Sequence, residues 1–179
     1  MLTSKKVLIC EIIGTAFIIF LGSALHFTYE FSGKFALVGA FSAVNESVWE
    51  HLKLAFWPSL IWLLIEYLPI KKLTSNFFES KTLGTCIMIA LIPIVFYSYT
   101  TVTGESIFVI DIATFIVAVM VGQIASCTLF MKKEFSKNTD KITLVMLIVL
   151  GIAFIVFTFY PPHIPIFQDP TSGGYGIAT

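Results

Sequence analysis

Long apolar blocks separated by short polar connections organise this chain of 179 residues. Five blocks approach the roughly 20 residues that a helix needs to cross the hydrocarbon layer: 7–27, 46–68, 82–100, 107–130 and 141–160. Their apolar character is continuous rather than alternating, which predicts helices and not strands. Residues 32–45 are apolar but too short to span, and predict a re-entrant or interfacial segment beside the second span. After Tyr160 the character changes. Pro161, Pro162 and Pro165 stiffen the chain, and Asp169-Pro170 and Gly173-Gly174 signal turns. Ile164, Ile166 and Phe167 are too apolar for a solvated tail, so residues 161–179 are expected to fold back over the bundle as a lid. The expected architecture is an all-α membrane protein: a transmembrane domain of five helices over 1–160, a re-entrant segment and an extracytoplasmic C-terminal tail.

Composition strengthens this reading. With 57% hydrophobic and only 12% charged residues, the chain is too apolar for an ordinary soluble domain. The formal net charge of zero hides an asymmetry. There is no arginine, and Lys5, Lys6, Lys71, Lys72, Lys81, Lys132, Lys133, Lys137 and Lys141 all fall in or beside alternate connections. Only Lys34 and Lys53 lie elsewhere. The positive-inside rule makes that side the cytoplasm, with the N-terminus inside and the C-terminus outside a plasma membrane. No cluster of basic residues interleaved with aromatics points to nucleic acid. The expected partners are membrane lipids and a lipid or small-solute substrate. Cys10, Cys86 and Cys127 lie singly inside spans and read as small buried apolar residues.

The chemistry collects at the opposite, outer level. His26, His51 and His163 all fall there, with Glu30, Glu46, Glu50, Asp111 and Asp169. Ionisable groups at membrane depth are costly and mark sites by default. His26, His51, His163 and Asp169 are the expected ligands of zinc or another divalent metal, and Glu46, Glu50 and Asp111 the expected catalytic carboxylates. Glu46 and Glu50, four apart, share a face if the second span begins at 46, and His51 then points about 100° away. Ser47-x-x-Glu50 also fits a capping box, a purely structural use of the glutamate. Capping explains neither His51 nor Lys53.

Two stripes of small and polar residues predict inward faces: Glu11, Thr15, Gly22 and His26, and Asp111, Thr114, Ala118, Gly122 and Ser126. Asp111 needs a partner from elsewhere, with Lys53, a histidine or a bound cation as candidates. Glu66 reads as an inner anchor neutralised by Lys71 and Lys72, with pairing to Glu11 as the alternative. Pro58 should loosen the second span. The fifth span, nearly free of polar residues, is expected to face lipid.

The stretches Asn45-Glu46-Ser47-Val48-Trp49-Glu50-His51-Leu52-Lys53 and Pro161-Pro162-His163-Ile164-Pro165-Ile166-Phe167-Gln168-Asp169-Pro170 resemble an uncharacterised family of small bacterial membrane proteins, over nearly the whole chain. That resemblance implies no function. Ser47-x-x-x-His51 and Asp111 are also similar to the zinc motif of alkaline ceramidases and adiponectin-type receptors, which implies metal-dependent membrane hydrolysis. Those proteins add a closing His-x-x-x-His and seven spans, where this chain has His163 alone and five.

Three functions are therefore weighed. One is a metal-dependent hydrolase of a lipid or amphiphile, in which Glu46 or Glu50 takes a proton from zinc-bound water. Another is a transporter or substrate-capture subunit for a cation or small solute, which Glu11 and Glu66 near the other face would suit. The third is a structural or signalling membrane protein. Concentration of polar groups at one face favours the first.

Overall fold

A computed structural model describes residues 2–132 and 139–177; Lys133, Lys137 and Thr179 lie outside the described residues. The elements are α1 (Leu2–Phe31), α2 (Ala36–Gly39), α3 (Val48–Ile70), α4 (Phe77–Thr103), α5 (Phe108–Phe130) and α6 (Thr139–Phe159), with 3-10 turns at Lys71–Leu73 and Pro165–Phe167. All but α2 are long and apolar enough to cross a membrane, the pattern of a multi-pass membrane protein. Large apolar side chains such as Phe20, Leu64, Leu68, Val109 and Ile148 point outward, uncovered by protein. In lipid this is no liability, since acyl chains are as apolar as the side chains. Most of these helices run past the apolar blocks of the sequence. The blocks measure the hydrocarbon layer, whereas the hydrogen-bonded ladder continues into the headgroup region.

α3 packs against α1, α4 and α6, while α4 lies along α5 and α1 closes on α5. Ile18, Leu52, Phe56, Leu63, Met88, Val119 and Phe154 fill the space between them. Thr114, Ala118, Gly122 and Ser126 of α5 are buried, and their small size lets the backbones touch. A Cβ on Gly84 would lie 2.7 Å from the Gly122 carbonyl oxygen, and one on Gly122 would lie 2.6 Å from that of Gly84. A second close approach follows from Pro58. Having no N–H, Pro58 leaves the Leu54 carbonyl without its helical donor. That oxygen faces Gly22 of α1, where a Cβ would lie 2.4 Å from it. The proline thus exposes a polar group, and a glycine on the next helix comes close enough to cover it.

α6 is not simply a lipid-facing helix, as its sequence suggested. Leu147, Gly151, Phe154 and Thr158 are buried, an i, i+4, i+7, i+11 stripe that turns one face inward. Phe154 packs on Trp49 and Phe56 of α3, with ring centroids 4.7 and 5.0 Å apart.

Residues 32–45 turn back against α1 through the single turn of α2. The buried Ser42 hydroxyl ties them there: it donates to the Leu25 carbonyl and accepts from Thr28 Oγ1 at 2.9 Å and from the Tyr29 amide at 3.1 Å. The tail also folds back. Phe167 is buried on Trp49 and Phe157, the Ile177 amide donates to the Thr158 carbonyl at 3.0 Å, and Asn45 Nδ2 donates to the Gly176 carbonyl at 3.0 Å. It covers the ends of α3 and α6.

Candidate functional site

The start of α3 decides which polar groups meet. Ser47 is the N-cap, its hydroxyl accepting from the Glu50 amide. The helix therefore begins at Val48 after an extended Ser47, and Glu46 lies in the bend before it. Glu46 and Glu50 do not share a face. Glu46 swings toward α1, whereas Glu50 points the other way, toward α6 and the connector.

On the α1 side, His26 Nε2 and His51 Nε2 stand 3.2 Å apart. Glu46 Oε2 lies 3.7 Å from the first nitrogen and 3.4 Å from the second. These three ligand atoms form the one group of metal-ligating type found among the described residues. His51 Nδ1 sits 2.9 Å from the Ser47 carbonyl. A carbonyl can only accept, so Nδ1 carries a proton, and Nε2 is the nitrogen that faces the cluster. His26 Nδ1 is buried without a partner, so its ring is held by packing against Phe27 and His51. The pull of His26, and next of His51, holds the Glu46 carboxyl well below the usual carboxylate range, against the opposing effect of its partial burial.

A lowered carboxyl group adds stability above its ordinary titration range, and that contribution fades as pH falls through the folded value. Wild type should therefore be more stable than Glu46→Gln at neutral pH, with the gap shrinking below about pH 4.3. Thermal unfolding of the two proteins across that interval checks this; a constant gap would detach Glu46 from the histidines.

Glu50 serves a different cluster. Its Oε2 pairs with Lys53 Nζ at 2.5 Å and accepts from the Val44 amide at 3.0 Å. Lys53 Nζ also donates to the Gly39 carbonyl at 2.7 Å and to Thr158 Oγ1 at 2.8 Å. Both charged side chains are buried, and every ammonium donor has a partner. Asp111 accepts from Tyr99 Oη at 2.5 Å, and its charge reaches His51 through space. Glu30 pairs with exposed Lys34 at 3.5 Å.

The two tail residues stand apart from the histidine pair. His163 stacks on Tyr175, with centroids 4.5 Å apart. Asp169 closes a turn, accepting from the Thr171 amide at 2.9 Å and Ser172 Oγ at 2.6 Å. Of the seven residues singled out from sequence, the fold brings together His26, Glu46 and His51, leaves Asp111 nearby and diverts Glu50, His163 and Asp169 to other contacts. Thr158 and Tyr99 were not foreseen. Thr158 had no signal beyond being a hydroxyl on the α6 stripe, and Tyr99 none beyond being one aromatic near the end of α4.

The residues that carry this geometry lie within the match to one family model, which spans residues 2–177 under the description Family of unknown function (DUF6512). The chain belongs to DUF6512. No curated protein matches the chain, and no solved structure does. For this DUF6512 chain the functional argument rests on its own residues. In the fold Ser47 is the helix cap and His51 the single histidine of α3, and no similarity to ceramidases is shown.

Proposed function

We propose that the His26–Glu46–His51 cluster holds zinc or a related divalent ion, and that the protein is a metal-dependent membrane hydrolase of a lipid or amphiphile. The observation that carries this reading is the spacing of the three ligand atoms. Two ligands about 2.0–2.1 Å from zinc at the tetrahedral angle stand roughly 3.3 Å apart, and the separations here are 3.2, 3.4 and 3.7 Å. The last two are long for hydrogen bonds. Two imidazoles and a glutamate are also a donor set of catalytic zinc, which keeps its fourth position for water. The backbone bond that orients His51 is the support a metal-bound histidine needs.

Zinc would acidify that water into a nucleophile near neutral pH. With Glu46 as ligand and Glu50 committed to Lys53, Asp111 is the carboxylate left to take the proton. An apolar groove of about 500 Å³ at the same end of α1, lined by Leu25, Thr28, Ser32, Leu37, Val38 and Phe41, would suit an acyl chain. In this reading the lysine-rich end is cytoplasmic, so a reporter fused after the last residue should be active only outside the cytoplasm.

Metal analysis tests the centre. Protein purified, supplied with zinc and dialysed should retain one ion per chain and cleave an ester-linked lipid in nanodiscs. Absence of retained metal would overturn the proposal. A carrier for a cation is a second reading, favoured by a buried charge cluster at the other end of the bundle. Uptake into sealed vesicles without turnover in detergent would select it.

A further inference from the structure

Toward the lysine-rich end four helices converge on buried charge. Glu11 of α1, Glu66 of α3 and Lys81 of α4 are 3%, 1% and 4% exposed. Lys81 Nζ pairs with Glu11 Oε1 at 2.8 Å and with Glu66 Oε2. From α5, Ser126 Oγ donates to Glu11 Oε1 at 2.8 Å, and Gln123 Nε2 donates to the Glu11 carbonyl at 3.3 Å. Glu11 Oε2 and Glu66 Oε1 are nevertheless buried without partners. Trp62 Nε1, one helical turn before Glu66 and beside its carboxylate, is a buried donor that is also unpartnered.

Two carboxylates thus share one ammonium. Among the described residues no second cation reaches them, since Lys71 pairs with Asp140 at 3.5 Å and Lys53 with Glu50. Fully ionised, the trio would carry one uncompensated negative charge between packed helices, which a protein interior disfavours strongly. Of the other titratable side chains, Cys10 on α1 and Cys127 on α5 lie near enough to feel the trio. Glu79 of α4 faces Asp140 of α6 and Lys71 instead. Neither cysteine can supply positive charge.

We propose that Glu11, Glu66 and Lys81 form a proton-binding site in which the two carboxylates share one proton, exchanged with water at the lysine-rich end. With the proton bound, the trio is neutral and α1, α3 and α4 pack without repulsion. Its release leaves two carboxylates facing one ammonium and pushes α1 from α3. The two carboxylates titrate as one unit. The site is separate from the histidine cluster and does not depend on metal there.

Infrared spectroscopy of the purified protein at neutral pH tests this through the stretching band of protonated carboxyl groups. Wild type should show a component that is lost in both Glu11→Gln and Glu66→Gln, because the remaining carboxylate is then balanced by Lys81. Lys81→Met should double that component. Either glutamine variant should retain as much zinc as wild type, so failure here is distinct from failure of the metal centre. A wild-type spectrum with no protonated carboxyl, or a component untouched by both glutamine substitutions, would overturn the proposal. So would loss of the component when sodium replaces choline at constant pH, which would make a metal cation the ligand.

Discussion

Replacing Lys53 with methionine is expected to destabilise the fold by about 3–5 kcal/mol, because it strands Glu50 as an unpaired buried carboxylate. Lys53 is 0% exposed. Its ammonium binds the α2 backbone at Gly39, the α6 hydroxyl at Thr158 and the carboxylate of its own helix. Removing it therefore takes a donor from three acceptors, and the uncompensated charge on Glu50 dominates the loss. The double variant Lys53→Met, Glu50→Gln should recover most of the stability, since the bare charge disappears with its partner. Unfolding in mixed micelles across this mutant cycle measures the coupling. If the double variant were as unstable as the single, the loss would come from packing and not from the stranded charge.

The second large effect belongs to the histidine pair. His51→Ala should weaken zinc binding by more than about 100-fold, beyond the range typical of residues that only orient a ligand, and should abolish lipid cleavage. The helices should survive, because His51 is only partly buried and does not belong to the apolar core. His163→Ala should leave zinc affinity unchanged, since that ring stacks on Tyr175 and not on the cluster. Competition with a chromogenic chelator reads both variants. Equal losses would return His163 to the site and defeat the present assignment of ligands.

What could be read in advance was what repeats along the chain. Five apolar blocks and the small-residue stripe from Thr114 to Ser126 declare themselves through composition and period. The cluster of polar residues around His51 was visible for the same reason, being dense in one short stretch. Its internal geometry was not. A helix assumed to begin at Glu46 puts Glu46 beside Glu50; one begun at Val48, behind the Ser47 cap, sends them to opposite sides. Two residues of register thus decided which carboxylate meets the histidines. Partners far apart in sequence were equally hidden. Nothing near Lys53 announces Thr158, which lies 105 positions later. Lys81 read as one more basic residue at a helix start, yet it is the counter-ion of Glu11 and Glu66, whereas Lys71 goes to Asp140.

The distance between Glu11 and Lys81 also bears on how the protein is made. Seventy positions separate the two, so a ribosome delivers the first helix to the membrane well before its counter-ion is synthesised. During that interval the glutamate must stay protonated, remain near the headgroups or shelter in the insertion machinery, because a bare carboxylate is not tolerated in hydrocarbon. Glu66 emerges next and adds a second acid to the wait. The arrival of α4 supplies one ammonium to both and allows the early helices to close. Thr158 arrives later still and completes the Lys53 cluster from the last helix. Closure of the early helices therefore waits on the later ones, and a nascent chain released before α6 would carry unsealed polar seams into the bilayer.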